Sequence, residues 1–214
     1  MYHVARRNLR IELRAKETIL SSVLFSQLLC VIAAVLIEQR AVNGSGVMFL
    51  CLAFSGIVAV QRNVVKDTGK TDGWRLSGLP LGVFFIAKLL TSLLFAVIVL
   101  LSVYPLLAAF FHYQLPSPVG YALGCILLVA VGFCSLAVVF STGLMRSARG
   151  SALIFLAVYP LSFPLFLAGA NAIAALSNEI PQLPLARIWI KVLFAADIVI
   201  ITLSYWVFGR LLEE

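Results

Sequence analysis

Four places in this 214-residue chain hold side chains able to do chemistry. Asp197 lies midway along a long apolar run. A carboxylate at a bilayer centre costs about 2.5–3.5 kcal/mol on insertion scales, so it must face protein or water, or carry a proton. Two readings stand open for it. One is part of a polar cavity, or of a proton or substrate path; the other is a bond to a neighbouring hydroxyl that only helps helices pack. Lys88, just inside another apolar run, has a stem long enough to snorkel its ammonium to the surface. His112, beside Tyr113, has the chemistry of a metal or haem-iron ligand. Nothing nearby completes a site, and a lone interfacial histidine is more often simply solvated.

The fourth place, Gly69-Lys70-Thr71, has the ending of a phosphate-binding loop. Val64 stands where the first glycine is required, and no strand precedes, so no ATP site is expected here. No Ser/His/Asp, Cys/His or paired-carboxylate constellation is visible, and no motif calls for a bound cofactor. The four cysteines, Cys30, Cys51, Cys125 and Cys134, fall inside apolar runs without metal-ligand spacing and read as small buried hydrophobes. The chain is therefore not expected to be an enzyme.

The elements that must position these residues are membrane helices. The chain is 62% hydrophobic and 12% charged, with a mean hydropathy of +1.06, too apolar to cover a soluble surface. A bilayer-spanning helix takes about 20 apolar residues. Six runs answer to this, from about Thr18 to Ile37, Gly46 to Val60, Leu81 to Phe111, Val119 to Thr142, Ser151 to Leu176 and Ile188 to Phe208. Residues 1–214 thus form a single all-α membrane domain, and the first run reads as a signal anchor rather than a cleaved peptide.

Basic residues orient it. Thirteen of the 16 Lys and Arg side chains fall on the side holding both termini, and only Arg40, Arg187 and Lys191 fall on the other. By the positive-inside rule both termini are cytoplasmic, and the net charge of +7 needs no nucleic acid to explain it. Residues 1–17 carry Tyr2, Ala5, Leu9 and Leu13 on one face and Arg6, Arg10 and Arg14 beside it. That pattern suits an amphipathic helix lying in the cytoplasmic interface, or else a frayed basic tail that only sets topology.

The longest polar stretch, residues 61–80, faces the same side. Gly69 and Gly73 bracket a turn, and Trp74 to Leu79 can make one or two helical turns before Pro80. A short exposed amphipathic element with an aromatic anchor is what a partner's groove can grip; an ordinary loop with Trp74 at the headgroups would read much the same. Three prolines, Pro105, Pro160 and Pro164, stand within spans three and five. Each removes a helical N–H and favours a kink, tolerable where neighbours satisfy the freed carbonyl. The fifth span is expected to bend, or to end early and re-enter. Gly120 and Gly124 form a G-x-x-x-G at the outer end of span four, a surface for close helix packing.

The segment from Gly69 to Lys88 resembles the cytoplasmic loop of type-2 ABC permeases, in which a short coupling helix meets an ATPase subunit. The run Tyr159-Pro160-Leu161-Ser162-Phe163-Pro164-Leu165 resembles the Pro-Leu-x-x-Pro-Leu run of the CcmB family, the permease of cytochrome c maturation. Gly132-Phe133, Thr142-Gly143-Leu144 and Arg149-Gly150 are similar to that family's fourth span and following loop. Gln61 and Thr71-Asp72 depart from it, where a glutamate and a Leu-Glu pair are usual.

The resemblance implies a six-helix, type-2 ABC permease-like subunit of the bacterial inner membrane, with ATP hydrolysed by a separate CcmA-like subunit. It implies CcmC- and CcmD-like haem-handling partners, a CcmE-like haem chaperone, and two permease copies per complex. Haem would be cargo rather than cofactor, either exported or released with its chaperone. The contact with the ATPase would be made by Asp67, Gly69, Asp72, Trp74, Arg75, Leu76, Leu79 and Pro80. Two alternatives are a permease for another cargo (lipid, drug or polysaccharide) and a scaffold that transports nothing.

Overall fold

The computed structural model describes residues 16–36, 44–68, 81–144, 150–177 and 182–213. Six helices occupy nearly all of them: α1 (Lys16–Leu36), α2 (Gly44–Thr68), α3 (Leu81–Phe111), α4 (Val119–Leu144), α5 (Gly150–Ser177) and α6 (Leu183–Glu213). The interfacial helix expected over residues 1–17 lies almost wholly outside the described residues.

These helices are amphipathic in the sense a bilayer requires, with small or polar residues inward and large apolar ones outward. On α1, Ser22, Ser26, Cys30 and Ala33 are buried at helical spacing, while Leu20, Leu24, Leu28 and Val35 are exposed. Lipid tails are as apolar as leucine, so burying leucine against protein gains little there, and small residues let backbones approach. On α6 the buried positions Ala186, Leu193, Asp197, Ser204 and Phe208 recur at alternating steps of seven and four, a single seam along the helix. Asp197 sits on that seam.

The chain packs as two sets of three. Helices α1, α2 and α3 contact one another, as do α4, α5 and α6, and α4 joins the sets by also packing on α2 and α3. Two-thirds of the apolar window of α4 is buried (67%), against 17% for α6, which makes α4 the central post. Its midpoint carries the interlock. Phe133 lies over Gly56 of α2, where a Cβ would strike its ring, and packs on Phe166 of α5 with centroids 5.4 Å apart.

Five helices have apolar stretches long enough to cross a bilayer; in α2 the stretch among the described residues is shorter, Gly44–Val58. Six bilayer-length spans were expected, and the apolar run of α2 is bounded by Gln61 and Arg62, which follow Val60. The helix itself does not stop there. It continues through Thr68, so the first eight residues of the segment read as a loop, 61–68, are helical.

The fifth span neither breaks nor re-enters. α5 runs unbroken through Pro160 and Pro164, and α3 through Pro105. All three prolines are exposed. Helix α3 ends at His112, whose φ of 49° is left-handed. The Tyr113 amide then donates to the Leu107 carbonyl at 3.2 Å, six residues back, and so satisfies a carbonyl of the last turns.

Candidate functional site

The two charged residues singled out within the spans are both buried, and in different surroundings. Asp197, 3% exposed, comes from the middle of α6. Its Oδ1 lies against Gly132 of α4, so closely that a Cβ there would collide with it and with Leu165 of α5. Gly132 thus opens a notch that a carboxyl fills. Both carboxyl oxygens lack a hydrogen-bond partner among the described residues. The reading in which Asp197 bonds to a neighbouring hydroxyl is therefore set aside. The serines and threonines of the bundle explain why: Ser135, Thr142, Ser162 and Thr202 each donate back to a carbonyl of their own helix.

Lys88 is 5% exposed and turned into the bundle. The snorkelling expected from its stem is not what the fold selects. It stands one turn before Thr91 and Ser92, also buried, in the helix set that buries Ser22, Ser26 and Ser55. Lys88 also engages a neighbour. Buried hydroxyls are not peculiar to this half, since Ser135, Ser141, Ser162 and Ser204 are buried in α4–α6.

Beside Asp197, on the outer side of Leu165, a groove of about 420 Å³ runs between α5 and α6. Leu161, Pro164, Leu165 and Ala168 form one wall, and Val192, Leu193, Ala196 and Val199 contribute to the other. Every lining side chain is hydrocarbon. The floor residues Leu165 and Leu193 are fully buried, whereas Leu161, Val192 and Val199 at the mouth are about half exposed, so the groove opens toward the lipid.

The two ends of the bundle differ. At the end holding the C-terminus of α2, Phe85 of α3 packs against Tyr205 and Phe208 of α6 with centroids 6.4 and 5.3 Å apart. At the opposite end the Arg187 guanidinium donates to the Tyr121 hydroxyl at 3.3 Å and lies over its ring. The nearby Tyr113 hydroxyl is buried without a partner among the described residues. Burial, followed by the neighbouring Tyr104 and Cys125, pushes it up to about 12. His112 is exposed at the α3 cap, and among the described residues no three metal-ligating side chains converge.

Of the residues assigned to an ATPase contact, Asp67 falls in the last turn of α2. Gly69, Asp72, Trp74, Arg75, Leu76, Leu79 and Pro80 lie outside the described residues. The motif glycines Gly120 and Gly124 pack nothing: a Cβ at either would meet no neighbour within 4 Å among the described residues. Close approach happens instead at Gly132 and at Gly169, which abuts Val129 and Phe49. Sequence reasoning missed the pairing of Gly132 with Asp197. The seven-and-four spacing on α6 was the available signal that Asp197 faces inward, but it names no neighbour.

Fold and site together define a multi-pass helical membrane protein whose interior buries two ionisable side chains and whose second half opens an apolar groove to the lipid. The family model described as CcmB protein matches residues 1–213, and the chain belongs to the CcmB family. It is accordingly a membrane component of the haem exporter for cytochrome c maturation, and a permease component of a transporter rather than a catalytic enzyme. Comparison with curated proteins gave no match.

Proposed function

We propose that this chain couples ATP hydrolysis by a separate subunit to haem export, or to release of the haem-loaded chaperone, across the bacterial inner membrane. The observation that carries the reading is the overlong α2. Its apolar run ends at Val60 and its helix at Thr68, so the helix extends roughly 12 Å past that run at 1.5 Å per residue. A rigid rod of that length, bearing Arg62, Lys66 and Asp67, leads directly into the polar segment 69–80. Force applied to that segment by a moving ATPase would pass along α2 to Gly56, and from there to Phe133 at the centre of α4.

In this reading Asp72 to Pro80 makes the ATPase contact and both termini share its side of the membrane. The CcmA-like subunit supplies ATP hydrolysis, CcmC-, CcmD- and CcmE-like proteins handle haem, and two copies of this chain assemble in a six-helix, type-2 ABC arrangement. The test replaces Trp74 and Arg75 together by alanine. Membrane insertion should be unchanged while transport-coupled ATP hydrolysis is lost; full coupled activity in the double variant would sink the assignment.

A further inference from the structure

Asp197 is costly where it stands, and nothing in the family assignment uses it. A buried polar group without a partner costs about 1–3 kcal/mol, and an ionised one more. At the notch it meets no counter-charge, since Gly132 from α4 has no side chain and Leu165 from α5, beside the notch, is hydrocarbon. Neither carboxyl oxygen has a hydrogen-bond partner among the described residues. Lys191 is on the same helix six residues earlier, so it lies roughly 9 Å along the axis and about a third of a turn round. It is exposed there rather than facing the seam. Nor does the α5–α6 groove bring in a charge, since all its lining residues are apolar.

One side chain is common to the groove and the notch. Leu165 lines the groove and also abuts the Gly132 notch that Asp197 fills. Pro164, its neighbour in the same wall, has no N–H to offer the Pro160 carbonyl, so α5 lacks a backbone bond at the turn that carries Leu165. We infer that Asp197 is a proton-holding carboxyl in the middle of the membrane, reached from the lipid through the α5–α6 groove, with Leu165 closing the route. The site takes a proton, or a small apolar molecule able to accept one.

Dicyclohexylcarbodiimide is such a molecule, and its chemistry reads out both halves of the inference. The carboxyl proton moves to a nitrogen of the diimide, and the carboxylate oxygen bonds to the central carbon. An oxygen-to-nitrogen acyl shift then leaves a stable N-acylurea, with the whole reagent added and nothing expelled. Membranes containing the intact protein would be treated with this reagent, and in parallel with a water-soluble carbodiimide. Mass spectrometry of the α6 peptide would then locate the adduct.

The expected result is an adduct on Asp197 from the apolar reagent only, absent from D197N. Leu165→Ala should speed labelling severalfold. Val199→Trp, a change at the lipid-exposed mouth that leaves the core alone, should slow it severalfold. Absence of the adduct would overturn the proton-holding state. Equal labelling by the water-soluble reagent, or a rate that Val199→Trp leaves unchanged, would overturn the lipid route. Because labelling needs no ATPase or haem, failure here is distinguishable from failure of the coupling reading.

Discussion

Lys88 and Asp197 pose the same physical problem in the two halves of the molecule, and the halves answer it differently. Helices α1–α3 bury Ser22, Ser26, Ser55, Thr91 and Ser92 in the set that also holds Lys88, and the lysine engages a neighbour. Helices α4–α6 surround Asp197 with a glycine notch and a leucine, and leave both its oxygens without a hydrogen-bond partner among the described residues. A buried charge that is accommodated belongs to the framework. A buried acid that is tolerated without a partner marks strain the fold has retained, and such intramembrane acids are by default candidates for function.

The sharpest way to break this contrast is at the notch. Gly132→Val would place a branched side chain where even a Cβ collides with Asp197 and Leu165. Overpacking of this kind costs about 1–3 kcal/mol, more when the neighbours cannot move, so folded yield from detergent should fall sharply. Gly124→Ala, at the half-buried motif glycine where a Cβ meets no neighbour within 4 Å among the described residues, should change stability by no more than about 0.5 kcal/mol. Equal losses at the two glycines would show that the notch is not where α4 and α6 meet most closely.

The two charges should then respond with opposite signs. Asp197→Ala removes an unpartnered polar group, whose burial costs about 1–3 kcal/mol, and thermal unfolding in detergent should move upward. Lys88→Met strips a buried group from its neighbour, and the same measurement should move downward by a similar amount. Shifts of the same sign would erase the distinction between the halves.

The smallest effect is expected at Tyr113, near the end of the bundle opposite the α2 extension. Its phenol is buried in the neutral form and sits at about 12 against an ordinary 10.0. The folded state therefore holds its proton more tightly than the unfolded state does. Stability from this group is fully present below pH 10 and is lost as pH rises from 10 toward about 12. Tyr113→Phe should show no such loss in an alkaline unfolding series, and at neutral pH it should be close to wild type.

Much of the membrane architecture could be read from residue order, because a bilayer imposes one-dimensional rules. Apolar runs of sufficient length had to be helices, since hydrocarbon offers no water to satisfy a backbone left open. That argument placed α1 and α3–α6 within a few residues. It failed at α2, where polar residues after Val60 suggested a loop although helix continues to Thr68. Outside hydrocarbon, polarity no longer distinguishes a helix from a turn. It also left open whether the prolines of α5 interrupt the helix; they do not, and both are exposed residues of an unbroken helix.

Residue types and their order along the chain pointed to a helical membrane component, to a family of transport proteins, and to Asp197 midway along the last apolar run. The fold alone decided what each buried group meets. Lys88 could have snorkelled and instead turns inward; Gly120 and Gly124 had the packing motif, and Gly132 and Gly169 make the close approaches. The reason is that contacts between helices depend on rotation about each axis and on which neighbour lies alongside. Neither is specified by hydrophobic length, and both are set only when all six helices pack around α4.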